Sequence, residues 1–467
     1  MTGSPSEHPD QSISAARRPR NAAARDSRRS RNGDLWRAVL PLLAVVLIGY
    51  FASRTGDPVP AQPSVAVSAP AEVYGAVVEP AVAVPTRHGS DVFSLPPELR
   101  HAVSFWQQVF GVWRATQFAL HDRDHLGVIY DVVDLPRGST YKLTAEQRRL
   151  LEQRRNRIES DLIELERRLK RRVGLSAEQQ RLYDIIKRGA GRDAVAGSAA
   201  RLRTQRGMRE SFRQGLEASS RYREVFRQVF REAGLPEDLA HVPHVESAFT
   251  AGARSPAGAV GVWQFMPATG RRFLRMDEAL DERYDPVFAT RGAARYFADA
   301  YAKLGDWALA VTAYNHGLAG VVRAKDRCGA DIVCIVRRYE SPTFGFASRN
   351  FYAEFLAVRG IVHNLAQFFP EGVGQQAPLA HRRVRLLRPL PATRLAQWHG
   401  IDTADLAALN PAWTKDAVRG RVELPADADV WLPRDRVKRT RDMDRYYTQP
   451  DRLIGRLSTR SDARSAS

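Results

Sequence analysis

The sequence predicts a mainly α-helical protein that ends in a small β-α-α-β unit. From Leu95 onward, apolar residues recur at three- and four-residue steps, the spacing of one face of an α-helix. Thr144 and Gln147 form a capping-box pattern at the start of a long charged segment. After residue 380 the pattern changes to short runs typical of small strands and helices.

Composition excludes several classes of protein. A length of 467 residues suggests two to four domains at roughly 150 residues each. The 44% apolar content is too high for a wholly disordered chain, and two cysteines are too few for a disulfide scaffold or a Cys-rich metal protein. The net charge of +19 indicates an anionic neighbour, which is nucleic acid, a membrane surface or a wall polymer.

The N-terminus carries an export signature. Residues 1–34 form an Arg-rich tail, and residues 35–52 contain an apolar run. The run is short for a spanning helix of ~20 residues and long for a signal-peptide core of ~7–15. We favour an uncleaved signal anchor over a cleaved export signal or a core helix. Either export interpretation places the rest in the periplasm, and the anchor holds it on the inner membrane.

A linker and a helical region follow. Residues 53–93 contain six prolines, which disfavour regular helix, so we interpret them as a linker. Residues 94–219 are predicted to be helical, with further helices over Ala199–Glu217 and Ser220–Ala233. The charged face of the long helix is typical of a solvated surface rather than of a polyanion site.

The C-terminal part predicts a compact unit. Strands are expected at Val384–Leu387 and Val430–Leu432, and helices at Thr393–His399 and Thr403–Leu409. Residues 438–467 are polar and charged, and we predict them to be disordered.

Glu246 is the first candidate for chemistry. It follows an apolar stretch that contains Leu239, Val242 and Val245, just before a polar turn. A carboxyl among apolar neighbours loses solvation as an anion, so its pKa rises and it can carry a proton near neutral pH. From spacing alone, a helix-end glutamate on the surface is the favoured alternative.

Three other segments accompany it. Residues 254–270 place Gln264 and Thr269 beside aromatic side chains, which suits a sugar with both hydroxyls and apolar faces. Gly258 and Gly261 there allow the backbone to approach a ligand. Residues 310–317 contain a Tyr-Asn pair near a helix end, and residues 348–355 form an aromatic helix with a polar face.

Two weaker patterns concern metals and thiols. His241, His244 and Glu246 could be mistaken for a metal site, but Pro243 and the acid–base role expected of the glutamate argue against it, and we predict no metal and no cofactor. Cys328 and Cys334 are spaced for a small local disulfide outside the cytoplasm; two free buried thiols are the alternative.

Taken together, these motifs resemble the family-1, SLT-type lytic transglycosylases. The Glu-Ser pair, the run Gly-x-Trp-Gln-Phe-Met-Pro-x-Thr-Gly and Ala-Tyr-Asn-x-Gly occur in the family's order and spacing. The residues around Glu246 are most similar to those of the membrane-bound murein transglycosylase D branch. The resemblance covers residues 220–370 and implies a goose-lysozyme-like, mainly α domain with a cleft.

The resemblance also implies the chemistry. Glu246 would protonate the glycosidic oxygen between MurNAc and GlcNAc and then take the proton of the 6-hydroxyl, closing a 1,6-anhydro ring without water. One carboxyl suffices, whereas most glycosidases use two, and no second acid is evident near Glu246 in the motifs. The residues implied to line the cleft are Ser255, Gln264, Met266, Tyr314 and Asn315.

One departure from the family lies in the fourth segment. The family carries a tyrosine where this chain has Phe351, which cannot donate a hydrogen bond. Either Tyr352 replaces it through a local shift, or the contact is absent.

The C-terminal unit resembles a LysM module. The run 395–400, Leu406 and the Leu-Asn-Pro of residues 409–411 match its helix–Gly–helix–Asn pattern. Such a unit would hold the enzyme on glycan strands; a helical cap without ligand is the alternative.

The sequence therefore predicts an exported peptidoglycan lytic transglycosylase. A hydrolytic muramidase and a non-catalytic wall-binding scaffold remain alternatives. Export argues against nucleic acid as a partner, and the anionic wall and the inner-leaflet lipids explain the basic charge equally well.

Overall fold

The computed structural model describes residues 92–136, 142–434 and 443–447. The predicted Arg-rich tail at 1–34 and the apolar segment at 35–52 lie outside the described residues, as do most of the linker and of the C-terminal tail. Among the described residues, no helix combines the length and apolar composition that crossing a bilayer requires.

The fold is mainly helical, as predicted. Its N-terminal part differs from the prediction because it holds a three-stranded antiparallel sheet of order β2-β1-β3. The strands are β1 (Gln117–Asp122), β2 (Ile129–Asp134) and β3 (Leu202–Arg206). They carry buried polar residues, including His121, Asp122 and Asp131, so no alternation of apolar and polar residues marks them.

The prediction of one helix over Ala199–Glu217 was therefore wrong. A short helix, Ser198–Arg201, leads into β3, and a second helix begins at Arg209. Pairing with β1 decides the conformation of β3, because Phe118 and Arg206 occupy opposite positions of the ladder.

Ten α-helices lie between Arg100 and His316 in the described part of the chain. Their bounds are α1 (Arg100–Gln107), α2 (Ala145–Arg171), α3 (Ala177–Ala190), α4 (Ser198–Arg201), α5 (Arg209–Ser220), α6 (Arg223–Glu232), α7 (Val242–Ser247), α8 (Pro267–Phe273), α9 (Pro286–Leu304) and α10 (Trp307–His316). The predicted capping box is present at the start of α2. The Thr144 hydroxyl accepts from the Gln147 backbone N–H at 3.1 Å, and the side-chain oxygen of Gln147 accepts from the Thr144 backbone N–H at 2.9 Å.

Four further helices follow. They are α11 (Leu318–Cys328), α12 (Ile332–Arg338), α13 (Phe346–His363) and α14 (Leu365–Phe368). The helix α13 is buried along most of its length and packs against α1, α7 and α10.

One hydrophobic core joins the regions predicted as 94–219 and 220–370. Phe93 packs edge-on against Phe355 with ring centroids 4.9 Å apart. The indole of Trp106 donates to the Asn350 side chain at 3.4 Å. The predicted boundary at residue 219 therefore does not separate two independently packed bodies, and the fold begins at the end of the predicted linker.

The C-terminal unit has the predicted β-α-α-β order, with one extra short helix. Its elements are β4 (His381–Arg385), α15 (Ala392–His399), α16 (Thr403–Leu409), α17 (Lys415–Val418) and β5 (Asp429–Pro433). The strands pair antiparallel, and Asn410 ties α16 to β5 by accepting from the Trp431 N–H at 2.8 Å.

Part of the tail predicted to be disordered belongs to this unit. Met443 and Tyr447 are 4% and 3% exposed, and Tyr447 forms a bridge with Leu386. A few apolar residues, spaced among charged ones, are enough to pack this stretch against the unit. The overall polarity of residues 438–467 gave no indication of this packing.

Candidate active site

The candidate acid lies on α7, one of the shortest helices. A 3-10 turn, Glu237–His241, leads into it, and it ends at Ala248 with a left-handed φ of 45°. The neighbour of the acid, Ser247, donates to the Val262 carbonyl at 2.9 Å, which ties α7 to the loop 254–266.

Glu246 is partly buried between apolar neighbours. Val242 and Val245 are 0% and 8% exposed, and the Glu246 carboxyl itself is only partly accessible. Burial raises the pKa of Glu246 to about 8. A carboxyl of this kind holds its proton at neutral pH and can donate it to a substrate.

The loop after α7 positions Gln264. This residue has a left-handed φ of 48°, and its side-chain amide donates to the Gly261 carbonyl at 2.8 Å. Gly261 has a φ of 75°, and a Cβ placed there would lie 2.1 Å from the Arg283 carbonyl oxygen. The expectation that Gly261 allows a ligand to approach was therefore wrong: its missing side chain makes room for the protein backbone.

Tyr314, on α10, holds the loop 254–266 through a hydrogen bond. Its hydroxyl donates to the Trp263 carbonyl at 2.8 Å, and its ring stacks on Phe297 with centroids 5.1 Å apart. Burial raises the pKa of Tyr314 well above its usual value, and the charges of Glu246 and Tyr296 add to the effect. The same carboxyl contributes to the raised pKa of Tyr296, where burial is the main cause. Glu246 is therefore electrostatically linked to both tyrosines.

A cleft of about 620 Å³ opens beside these tyrosines. Its lining includes Gln264, Phe265, Met266, Thr269, Arg272, Tyr296, Asp299, Tyr314, Asn315, His316 and Arg323. Four of the predicted site residues are among them: Gln264, Met266, Tyr314 and Asn315. The cleft is lined by aromatic rings and hydrogen-bonding groups together, which is the surface that a sugar chain requires.

Two predicted site residues, Glu246 and Ser255, are not part of the cleft lining. Glu246 is absent from the lining and is linked to it through Tyr296 and Tyr314. Ser255 is also absent, because its hydroxyl caps its own turn by accepting from the Ala259 N–H at 3.0 Å.

The fourth segment supports Asn315 and adds no tyrosine to the lining of the cleft. The Ser348 hydroxyl donates to the Asn315 carbonyl oxygen at 2.9 Å, which fixes the Asn315 amide. Tyr352 is 1% exposed, and its hydroxyl donates to the Ser94 carbonyl at 2.8 Å. Phe351 is 2% exposed. Tyr352 thus points toward the N-terminal segment and does not line the cleft.

Sequence reasoning missed a second carboxyl close to Glu246. Glu354, on α13, is 2% exposed, and burial raises its pKa to about 8, with a further contribution from the Glu246 carboxylate. A signal was present, since Glu354 is the one acidic residue within the apolar run 351–358. A charged residue in such a run is either paired or unusual.

The histidines near Glu246 belong to the packing. His244 is 3% exposed, and its ring bonds to the Ser219 hydroxyl at 3.1 Å. His241 and His363 instead approach Asp238, at 3.8 Å and 3.5 Å, in a group of three potential metal ligands. One oxygen of Asp238 is already bound by Arg359 at 2.5 Å, and this cation opposes a second one beside it. The absence of a metal stays a prediction.

The two cysteines lie at the last residue of α11 and within α12. Cys328 and Cys334 are joined by a disulfide, with Cα atoms 5.7 Å apart. The bond closes the turn between two helices that follow the Tyr314–Gly317 segment.

Part of the chain is similar in sequence to known proteins. Residues 227–331 match the family described as the transglycosylase SLT domain. The chain contains an SLT domain. The matched range includes Glu246, Gln264, Tyr314 and Asn315, and it ends before the segment of Ser348 and Glu354.

Two curated relatives share this part of the chain. The membrane-bound lytic murein transglycosylase D of Escherichia coli K12 is 29% identical over 187 residues, covering 38% of this chain and 40% of the relative. A putative tributyltin chloride resistance protein of Alteromonas is 37% identical over 92 residues, covering 19% of this chain and 44% of the relative. This SLT-domain chain thus spans less than half the length of either relative.

Among solved structures, the 70 kDa soluble lytic transglycosylase of Escherichia coli is similar to this chain. It is 22% identical, with a TM-score of 0.26, and the match covers 32% of this chain and 24% of that one.

Proposed function

We propose that this chain is an exported peptidoglycan lytic transglycosylase. It would cleave the β-1,4 bond between MurNAc and GlcNAc and leave a 1,6-anhydroMurNAc end, as a carbon–oxygen lyase. The observation that carries this proposal is Glu246. It is a carboxyl that burial keeps protonated near neutral pH, linked electrostatically to two tyrosines in the wall of a polar and aromatic cleft.

In the first step Glu246 acts as an acid. Its proton goes to the glycosidic oxygen, and the electron pair of the bond between that oxygen and the MurNAc C1 leaves with GlcNAc. The acetamido oxygen of the same MurNAc stabilises the electron-poor C1. Glu246 is then a carboxylate in an apolar environment, where it is a stronger base than in water.

In the second step Glu246 acts as a base. It takes the proton of the 6-hydroxyl of the MurNAc, whose oxygen forms a bond to C1 and displaces the acetamido oxygen. Glu246 is protonated again, and no water is consumed. The other carboxyl near it, Glu354, is 2% exposed, whereas Glu246 is partly accessible, so Glu354 is not placed to activate a water molecule on the sugar.

The remaining site residues position the sugar chain. Gln264, Met266 and Asn315 face the cleft and would contact sugar groups. Tyr314 and Ser348 hold the Trp263 carbonyl and the Asn315 amide, so they would act through the loop and the amide that they fix.

We further propose two attachments that raise the local substrate concentration. The C-terminal β-α-α-β unit would bind glycan as a LysM-like module. Residues 35–52 would anchor the chain to the inner membrane with the remainder on its periplasmic side, or would direct export if they are cleaved.

The test is digestion of purified sacculi by the parent chain and by Glu246→Gln, with mass spectrometry of the released muropeptides. We expect 1,6-anhydro ends from the parent, and a loss of release by about 10²–10⁴-fold in the variant. Glu282→Gln is the matched control. Glu282 is also partly buried with a pKa raised by burial, but its carboxylate accepts from the Arg275 N–H, away from the cleft.

Other products would contradict the proposal in distinguishable ways. Reducing ends would identify a hydrolytic muramidase. Undiminished release by Glu246→Gln would remove Glu246 from catalysis. Binding of sacculi without any release by the parent would identify a wall-binding scaffold.

A further inference from the structure

The guanidinium of Arg283 binds the loop that carries Gln264 and Met266 to the cleft. One of its nitrogens, Nη1, donates to the Gly258 carbonyl at 3.1 Å and to the Phe265 carbonyl at 3.2 Å. These carbonyls belong to opposite ends of the loop, so a single nitrogen fixes the loop at two points. The Arg283 side chain is only 9% exposed, so little water competes for these hydrogen bonds.

Arg283 is also packed tightly against two elements of the cleft wall. Its carbonyl oxygen occupies the space that a Cβ of Gly261 would need, as described above. On α8, which carries Thr269 to the cleft, a Cβ at Gly270 would lie 2.7 Å from the Cδ of Arg283. Arg283 therefore contacts both the loop 254–266 and α8, and both supply residues to the lining of the cleft.

Asp281 determines the orientation of this guanidinium. The two oxygens of its carboxylate accept from Nε of Arg283 at 2.9 Å and from Nη2 at 2.8 Å, which leaves Nη1 for the loop. A bidentate pair of this kind fixes the plane of the guanidinium, because two parallel hydrogen bonds allow no rotation. An ion pair that is largely removed from water is weak evidence for stability, since both charges lose solvation. Its fixed geometry is the feature that positions the loop.

The C-terminal unit holds the segment that contains Asp281. The Asp281 N–H donates to the Ala412 carbonyl at 2.7 Å, and the preceding residue, Leu280, forms an antiparallel bridge with Trp413. Leu280 is 3% exposed and belongs to the hydrophobic core of the C-terminal unit. The segment 277–281 is thus attached to that unit, although it lies within the range that matches the SLT domain.

We propose that Arg283 is a positioning residue for the sugar-binding wall of the cleft, and that the C-terminal unit sets its place through Asp281. The contacts run from the Ala412 carbonyl to Asp281, from there to Arg283, and from Arg283 to the loop 254–266. The C-terminal unit thereby shapes the cleft, whether or not it also binds glycan. This inference rests on the proposed function, in which residues of that loop contact the sugar chain.

The first test compares Arg283→Leu and Arg283→Lys with the parent, in the full chain labelled with ¹³C at the methionine methyl groups. Arg283→Leu removes every hydrogen bond of the guanidinium. Arg283→Lys keeps a positive charge beside Asp281, but its single nitrogen cannot serve the carboxylate and both carbonyls. We expect both variants to move the methyl resonance of Met266, which is 41% exposed and lines the cleft. The resonance of Met208, in the hydrophobic core, should stay in place.

A kinetic measurement separates positioning from a general loss of structure. On soluble, uncrosslinked glycan strands, both variants should lower kcat/KM by up to about 10²-fold. The loss should lie in KM, because the displaced groups bind the sugar and do not transfer the proton. Arg291→Lys is the matched control, since Arg291 also approaches the C-terminal unit, at 3.8 Å from Asp429, but its ion-pair partner is on β5 and not in the segment of Asp281. It should keep the Met266 resonance and the KM of the parent.

The second test concerns the part of the C-terminal unit and compares Leu280→Ala with Leu406→Ala. Both leucines are buried in the core of the unit, at 3% and 0% exposed, but Leu406 lies on α16 and Leu280 lies next to Asp281. Leu280→Ala should move the Met266 resonance, and Leu406→Ala should leave it in place. The resonance of Met443, which belongs to the same core, shows whether the unit is folded in each variant. If the unit unfolds in either one, the Met266 resonance should move with it.

The outcomes that would overturn the inference are distinct. A Met266 resonance that both Arg283 variants leave in place would remove the positioning role. Parent values of the resonance and of KM in Arg283→Lys would show that charge alone suffices. Equal responses to Leu280→Ala and Leu406→Ala with a folded unit would remove the part of the C-terminal unit. A parent that releases nothing from sacculi would instead contradict the proposed function, and the methyl resonances, recorded without substrate, would still decide this inference.

Discussion

Trp431 of the C-terminal unit stacks on Phe288 of the SLT domain, with ring centroids 5.3 Å apart and planes inclined by 17°. The indole N–H donates to the buried Asp285 carboxylate at 2.7 Å. This carboxylate also caps α9 by accepting from the N–H groups of Val287 and Phe288. One tryptophan therefore joins the β-α-α-β unit to the start of a central helix.

This junction predicts a large loss of stability on truncation. Trp431→Ala removes a side chain that is 3% exposed and leaves Asp285 without one donor, so we expect a loss of about 3–5 kcal/mol. Guanidinium unfolding followed by circular dichroism measures it. The control is Trp398→Ala, which lies within the unit but away from this junction, against Tyr446. Equal losses in both variants would contradict a special role for the junction.

The raised pKa of Glu246 predicts how stability depends on pH. The folded chain holds this proton up to about pH 8, whereas the unfolded chain releases it near 4.5. Stability is therefore highest below the unfolded pKa and falls as the pH rises through this window. Glu246→Gln removes the free-energy cost of ionising a buried carboxyl. The variant should therefore be more stable than the parent by about 2–4 kcal/mol at alkaline pH, and equally stable in acid.

The measurement is the denaturant midpoint of both proteins across that range of pH. Parallel curves for the parent and the variant would show that Glu246 is solvated, and would contradict its role as a neutral acid.

The surroundings of Gly261 predict that this position tolerates no side chain. Gly261→Ala forces a Cβ to within 2.1 Å of the Arg283 carbonyl oxygen at a φ of 75°. We expect a loss of about 2–4 kcal/mol and a displaced Gln264, with reduced release of muropeptides. Gly305→Ala is matched in backbone, with a φ of 68°, but has open space around it. Gly305→Ala should lower the free energy of unfolding by only about 1 kcal/mol. An equal loss at both positions would show that backbone strain, rather than the clash of the added Cβ, causes the destabilisation.

The disulfide predicts a modest response to reductant. Cys328 and Cys334 close a loop with a sequence separation of 6, which stabilises the chain by about 2 kcal/mol. The melting temperature of the parent should fall when dithiothreitol reduces the disulfide. The double variant, Cys328→Ser with Cys334→Ser, should melt at this lower temperature whether or not dithiothreitol is present. A parent that melts unchanged in dithiothreitol would indicate that the bond does not stabilise the fold.

The sequence predicts those parts of the molecule that local patterns determine. The capping box of Thr144 and Gln147 and the β-α-α-β order after residue 380 both follow from neighbours along the chain. The sequence also singles out Gln264, Met266, Tyr314 and Asn315, which line the candidate cleft, because they occur in ordered motifs. The sheet at 117–134 and 202–206 does not, since its polar strands are stabilised by pairing partners distant in sequence.

The same reason explains the misassigned and missed residues. The hydroxyl of Tyr352 finds its acceptor at Ser94, 258 residues earlier, which no local spacing indicates. Glu354 comes to neighbour Glu246 only when α13 packs against α7. The role of Gly261 is set by Arg283, which reaches it from another turn of the chain.

The contacts of Phe93 with Phe355 and of Trp106 with Asn350 have a consequence for protein engineering. A transplant limited to the family-matched stretch 227–331 would leave behind both α13 and the sheet that covers it. In such a graft the side of α10 that packs against α13, and the ring of Trp307 that now faces Phe93, would be exposed to water, and we expect the fragment to aggregate. A portable module of the proposed catalytic region would therefore include at least the chain from Phe93 to the end of α14.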